Sequence, residues 1–290
     1  DNQITLAKMA GIARGKIIYG DASGNPAVLT AGSNTQVLTS DGTDISWADA
    51  AGGASAIDDL SDALTNSSGA TIGIGTGALA ADDGSANNNT ALGYHALNDA
   101  TTAAFNVAVG YQAMDSLTTS FGYSTAVGYN ALGAATTAYH NTAVGYNALA
   151  AITTTHQNTA FGSGAGSTST GSASVMIGYD AGKKGGTGTT AVGYDALSSS
   201  SLSANYLTAV GSTALKNNTT GTNNTALGTD ALLDNTTGAY NTCVGMNAGI
   251  RLSTGSNNTA LGYNSLSSCV TAQGTQNVAV GTNALASALL

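Results

Sequence analysis

A nine-residue sequence motif recurs along most of the chain, and it constrains the fold more than any other feature. It reads NTAVGYNAL at residues 141–149, NTALGYHAL at 89–97 and NTALGYNSL at 258–266. Its central glycine occurs 13 times, at spacings of 15 to 19 residues. A period this short predicts a stacked array, in which each unit buries its apolar residues against its neighbours. The glycines are Gly75, Gly93, Gly110, Gly128, Gly145, Gly162, Gly178, Gly193, Gly211, Gly228, Gly245, Gly262 and Gly281.

Each unit predicts a short strand followed by a tight corner. Small and β-branched residues alternate before the glycine, which is typical of a strand. The aliphatic residue one before each glycine, Val144 in this unit, is expected to form a buried row. On that expectation Val144→Asp is severely destabilising. Ala148 and Leu149 predict a second short strand after the corner.

The period also decides the class of repeat. Helical repeats need about 33 residues or more, whereas a period near 17 fits two short strands and their turns. The sequence therefore predicts an all-β fold, a parallel β-solenoid (β-roll) of about 13 short coils. The residues expected to form its structural ladder are Asn141, Val144, Gly145, Tyr146, Ala148 and Leu149.

Residues 1–70 lie outside the repeat. Within 1–53, two turn sequences are each flanked by a pair of short apolar segments. This pattern predicts two β-hairpins, and Asp41–Gly42 is the stronger of the turn signals. Residues 54–70 are expected to form a neck or linker, because 57–64 have apolar side chains at the spacing of a short helix. Residues 71–290 are expected to form the solenoid. Asp1 reads as the cut end of a longer chain.

Composition argues against several classes of function. The net charge of −9 disfavours nucleic-acid binding, which depends on Lys and Arg. No apolar run is long enough for a membrane helix, so membrane insertion is not expected. The three histidines and two cysteines form no cluster with ligand spacing, so no metal, cofactor or catalytic site is expected.

Three polar or aromatic rows have a structural and a functional interpretation. The asparagine four before the glycine is a backbone-bonding ladder or a glycan-contacting row. The tyrosine after the glycine packs between coils or chains, or forms a carbohydrate platform. The threonine three before the glycine reflects strand propensity or an ice-binding array.

The run of TAVGYNAL units resembles the head repeats of trimeric autotransporter adhesins, which also occur in bacteriophage tail fibres. Residues 15–47 and 56–64 resemble the shaft of a tail fibre. The resemblance implies a homotrimeric rod in which 1–53 form a hairpin shaft segment. It also implies a location in the virion tail fibre or, alternatively, on a bacterial cell surface.

The expected function is that of a structural and adhesive fibre segment, a phage tail fibre mediating host attachment, and not that of an enzyme. The alternatives are a bacterial trimeric autotransporter adhesin head and an ice-binding β-solenoid. The expected partners are two further copies of the chain, a host receptor such as a polysaccharide, and other virion tail proteins. Aromatic residues in variable loops are the preferred receptor contacts. They are Phe105, Phe121, Tyr123, Tyr139, Tyr206 and Tyr240.

Overall fold

Strands and turns make up the backbone in a computed structural model of the chain, and the described part contains no helix. No described segment could therefore cross a membrane as a helix. The chain divides into two units, residues 1–61 and 62–290. The structure describes residues 16–20, 26–30, 33, 36–40, 45–49, 63–65, 71–83, 87–118, 122–268 and 274–287.

The described part of the first unit forms two antiparallel strand pairs. Strand β1 (Lys16–Gly20) pairs with β2 (Pro26–Thr30). Strand β3 (Gln36–Ser40) pairs with β4 (Ile45–Asp49). These are the strands expected from the two pairs of apolar segments in the sequence. Their role as a shaft stays a prediction.

The second unit is a parallel β-solenoid built from one three-residue strand per glycine repeat. Thirteen strands stack in chain order as parallel neighbours, and β5 (Ala63–Thr65) pairs antiparallel with the first of them. The stacked strands are β6 (Ile72–Ile74), β7 (Thr90–Leu92), β8 (Val107–Val109), β9 (Thr125–Val127), β10 (Thr142–Val144), β11 (Thr159–Phe161), β12 (Val175–Ile177), β13 (Thr190–Val192), β14 (Thr208–Val210), β15 (Thr225–Leu227), β16 (Thr242–Val244), β17 (Thr259–Leu261) and β18 (Val278–Val280).

The register of the solenoid places equivalent residues directly above one another. Thr142, for example, pairs with Thr159, and Val144 pairs with Phe161. Every position of the repeat therefore becomes a column of side chains along the stack. Residues 57–64 were expected to form a short helix or a neck. The helix is wrong for Ala63 and Leu64, which belong to β5, and residues 57–62 lie outside the described part.

The middle residue of each strand, and not the aliphatic residue that follows it, points into the coil. Ala143 is fully buried, as are its equivalents Ala126 and Ala160. Val144 is only half-buried, and Phe161 in the same column is 58% exposed. The expected burial of the aliphatic row is thus wrong for the single chain. A coil of about 17 residues is too narrow for two large aliphatic columns, and the column of Leu149 already fills it.

The second apolar pair of the unit is also buried, but it is not a strand. Ala148 and Leu149 are fully buried within a turn that follows Gly145. Asn147 and Leu149 have left-handed backbones, with φ values of 53° and 51°. The Asn147 N–H donates to the Tyr129 carbonyl of the preceding coil at 2.9 Å. The Leu149 N–H donates to the Ala165 carbonyl of the following coil at 3.0 Å. This alternation links the turn to both neighbouring coils without a strand ladder.

Two columns of side chains fill the interior, one from the middle of the strands and one from the turns. In some coils the larger residue lies in the strand instead of the turn. Most coils combine alanine in the strand with leucine in the turn, as in Ala143 and Leu149. In one coil the pair is Met176 and Gly182, and a Cβ added to Gly182 would lie 2.5 Å from the methionine Cγ. In another it is Cys243 and Gly249, where the added Cβ would lie 2.7 Å from the cysteine Sγ. The larger strand residue therefore occupies the space that leucine fills elsewhere.

Candidate contact surfaces

The asparagine column lies inside the corner before each strand. Asn141 is fully buried, and its Nδ2 donates to the Thr155 carbonyl at 3.0 Å. Its Oδ1 accepts the backbone N–H of Asn158 in the next coil at 2.9 Å. Buried amides bonded in this way satisfy the corner backbone from coil to coil, and they are not available to a glycan.

Serine replaces asparagine in part of this column and keeps one of its bonds. Ser124 donates from its Oγ to the Gly122 carbonyl at 2.8 Å. The same Oγ accepts the N–H of Asn141 at 3.1 Å. Where the column carries asparagine or serine, either side chain supplies an acceptor to the next coil, whereas Leu207 interrupts the column.

The outward face of the strands carries two columns, one mainly threonine and one aliphatic. Thr142 and Val144 lie on this face, two residues apart, with Ala143 pointing inwards between them. In the aliphatic column, Leu92 is 47% exposed and Leu261 is 48% exposed. The face is therefore an apolar and hydroxyl-bearing stripe, which no described part of the chain covers.

A tyrosine column follows the glycines on the outside of the turn. Tyr94, Tyr111, Tyr129 and Tyr146 stack in successive coils, with ring centroids 5.0 to 5.2 Å apart. Tyr179 and Tyr194 form a second, shorter stack at 5.5 Å. Each of these rings is about half exposed. The tyrosines thus contact one another between coils and keep one side in solvent.

The aromatic residues expected to contact a receptor are more regular than the sequence suggested. Phe105, Tyr123, Tyr206 and Tyr240 share one column, that of the residue just before the buried asparagine or its substitute. Each has a left-handed backbone, as do His140 and Asn223 in the same column. All four aromatic side chains are exposed. Their spacing from the asparagine is the signal that identifies the column in the sequence.

Five rings in this region form one continuous cluster, here called the aromatic patch: Phe105, Tyr123, His140, Tyr139 and His156. Phe105 stacks on Tyr123 at 5.0 Å, and Tyr123 stacks on His140 at 5.2 Å. Tyr139 meets His140 edge to face at 5.3 Å and stacks on His156 at 4.6 Å. The two histidines, which the sequence did not single out as contacts, therefore join three of the expected aromatic residues.

The other expected contacts lie apart from the patch. Tyr206 and Tyr240 are the most exposed aromatics of the described part, at 63% and 61%. No described ring stacks on either of them, and Tyr206 lies above Gly188. Phe121 lies outside the described residues.

Three contacts between acidic and basic side chains lie on the described part of the solenoid. Lys216 donates to Asp195 at 2.8 Å, and this hydrogen bond raises the pKa of the lysine. Lys183 lies 3.3 Å from Asp180. Burial raises the pKa of Asp115, which lies 3.8 Å from His95. Within the described ranges, no three His, Cys, Asp or Glu side chains come together as metal ligands would.

Comparisons with protein-family models, with curated proteins and with solved structures found no match to this chain.

Proposed function

We propose that the chain is a structural and adhesive fibre segment, a homotrimeric β-solenoid of a bacteriophage tail fibre that mediates attachment to the host. The solenoid provides a stiff scaffold, because successive coils are bonded to each other along the strands and the turns, and most of them also through the asparagine column. Partners are two further copies of the chain, a host-surface receptor and other tail proteins. No catalytic role is proposed.

The outward stripe of the strands is the observation that carries this proposal. Side chains as large as Leu92, Phe161 and Leu261 are about half exposed in one column. Soluble monomers rarely leave so long an apolar stripe in water. Identical chains arranged around a common axis cover the stripe in every copy at once. The number three comes from the resemblance to trimeric adhesin heads.

A bacterial trimeric adhesin head remains the alternative with the same architecture. Both proteins would be trimeric and adhesive, so the fold favours neither over the other. The source of the chain separates them, since one is a virion component and the other is displayed by the bacterium itself. Localisation by antibody on purified virions and on bacterial cells distinguishes the two.

One observation favours ice binding as a second candidate. Thr142, Thr159, Thr242 and Thr259 are exposed and lie in the same outward column. The neighbouring aliphatic column, however, mixes Val, Ile, Leu and Phe side chains of different size, so the surface is uneven. Thermal hysteresis of the purified chain tests this candidate, and its absence rules the candidate out.

Adsorption to cells tests the adhesive half of the proposal. The fluorescently labelled full chain is incubated with a broad panel of bacterial strains, and bound fluorescence is measured against concentration. We expect saturable binding to a subset of strains, with unlabelled chain competing for it. Uniform, non-saturable binding or none on any strain would contradict an adhesive role. The mass of the chain in solution tests the structural half.

A further inference from the structure

We infer that the aromatic patch is a binding site for a neutral polysaccharide chain of the host envelope. This inference rests on the proposed adhesive function and adds to it the place of contact and the chemical class of the receptor. It starts from two observations that coincide in the chain: the clustering of five rings and the lack of charge around four of them.

The first observation is the exposure and continuity of the rings. Phe105 and Tyr123 are 43% and 50% exposed, and His140 is exposed beside them. Tyr139 and His156 extend the cluster sideways at half-buried positions. Aromatic side chains offer apolar surface together with a polar edge, here the tyrosine hydroxyls and imidazole nitrogens. That combination suits a sugar, which presents both C–H faces and hydroxyl groups.

The second observation is a long uncharged stretch of sequence. Between Asp115 and Asp180 the chain has no Asp, Glu, Lys or Arg, although its net charge is −9. Tyr123, Tyr139, His140 and His156 all lie in this stretch. Arg and Lys are the side chains that best replace the water around the charges of a carboxylated or phosphorylated glycan. A neutral glycan does not, and the surface therefore matches it in charge.

Hydroxyl groups that precede the patch in sequence are hydrogen-bonded between coils. On the loops that lead to it, Thr118 donates to the Thr136 carbonyl at 3.4 Å, and Thr136 donates to Thr153 at 3.2 Å. Their oxygens retain acceptor capacity for a ligand hydroxyl. A cluster of exposed rings beside such hydroxyls makes a surface more polar than the dry core of a protein interface.

The spacing of the column favours a polymer over a single sugar. Successive rings lie 5.0 and 5.2 Å apart because they follow the rise of the coils. A linear polysaccharide also repeats one unit along its length, so neighbouring units can make the same contact with neighbouring rings. Each contact is weak, and repetition along the column and among the copies raises the total affinity.

The chain offers a matched pair of variants for the test. Tyr123 and Tyr240 share a column and a left-handed backbone, but only Tyr123 belongs to the patch. Asparagine occupies the same column at Asn88, Asn223 and Asn257 with φ between 52° and 59°. Tyr123→Asn and Tyr240→Asn are therefore both compatible with the fold, and equal melting temperatures verify this.

Binding of the full chain is measured to immobilised glucan, mannan and galactan and to acidic polysaccharides. We expect binding to at least one neutral polymer, weakened about tenfold or more by Tyr123→Asn and less than about twofold by Tyr240→Asn. Binding to acidic polymers alone, or equal losses in the two variants, would overturn the inference. So would the lack of binding to every neutral polymer. If cells still adsorb the chain in that case, the adhesive function stands and only the receptor class is wrong.

Discussion

The carbonyl oxygen of Gly162 occupies the space that a Cβ on Gly145 would need. Gly145 also has φ of +136°, a conformation that side chains other than glycine rarely adopt. The same relation recurs from Gly75 to Gly262, each glycine lying against the next one in the column. The invariance of this position within the chain thus has two physical causes, backbone conformation and the close approach of coils.

Gly281 allows the two causes to be separated. It has φ of +118°, but no described residue lies within 4 Å of its added Cβ. Gly281→Ala is expected to cost about 1–2 kcal/mol from backbone strain alone. Gly145→Ala adds a clash and is expected to cost at least about 3 kcal/mol. Denaturant unfolding measures both, and equal losses would show that coil contact contributes nothing.

The asparagine column predicts a graded response at Asn141. Asn141→Ala leaves the Asn158 N–H and the Thr155 carbonyl without their partners, at a cost of about 1–3 kcal/mol. Asn141→Ser is expected to cost less, because Ser124 shows that a hydroxyl in this column accepts the N–H of the next coil. The free energy of unfolding of both variants is measured. A serine variant as unstable as the alanine variant would contradict the role of the acceptor.

The exchange of Met176 with Gly182 predicts that their substitutions are not additive. Met176→Ala opens a cavity, costing about 2–5 kcal/mol. Gly182→Leu alone overpacks the coil, because its Cβ would lie 2.5 Å from the Met176 Cγ. The double variant restores the Ala143 and Leu149 arrangement and is expected to be more stable than the sum of its parts predicts. Additive losses in a double-mutant cycle would contradict this packing.

Burial of Cys243 predicts a loss of stability at high pH. Desolvation raises the pKa of its thiol from 9.0 to about 12, although a hydrogen bond from Ala260 opposes the shift. Below pH 9 the thiol is protonated whether the chain is folded or unfolded. Between pH 9 and about 12 only the unfolded chain releases the proton, so stability falls as the pH rises.

Cys243→Ala isolates this effect, because alanine fills the same column in the neighbouring coils at Ala226 and Ala260. Relative to this variant, the natural chain is expected to lose on the order of 1 kcal/mol of stability per pH unit in that range. Parallel pH profiles of the two proteins would show that the thiol is not buried in solution.

The repeat made the solenoid and its glycine column predictable, because spacing and backbone conformation leave few other folds. It did not reveal which face of the strand points inwards. The strand of Thr142, Ala143 and Val144 has no clearly polar face. Val144 has the largest apolar side chain of the three, so the sequence alone assigns it to the core. The true arrangement leaves a subtler signal, since Met176 and Cys243 occur in coils where the leucine is replaced by glycine.

The turn and the aromatic patch were predictable in part. Asn147 and its equivalents Asn130 and Asp195 are residue types that tolerate a left-handed backbone, and this could have indicated a turn. Leu149 has the same backbone without any such signal. The column of Phe105, Tyr123 and His140 follows from counting back from the asparagine. The contact between His140 and Tyr139 depends on side-chain geometry, which the repeat does not specify.

The two faces of strand β10 predict opposite outcomes for one substitution. Ala143→Asp places a carboxylate among buried side chains and is expected to prevent folding. The side chain at position 144 points outwards, so the single chain is expected to stay folded with Val144→Asp. Circular dichroism and thermal melting distinguish the two. A folded Ala143→Asp variant would contradict the assignment of the interior.

The mass of the full chain in solution tests the proposed association most directly. Sedimentation equilibrium at micromolar concentration is expected to give three times the 28.2 kDa of one chain. Val144→Asp, paired with Val127→Asp in the adjacent coil, is expected to shift the folded protein towards the monomer. A natural chain that remains a soluble monomer would contradict the account, because its apolar stripe would then need no other copy.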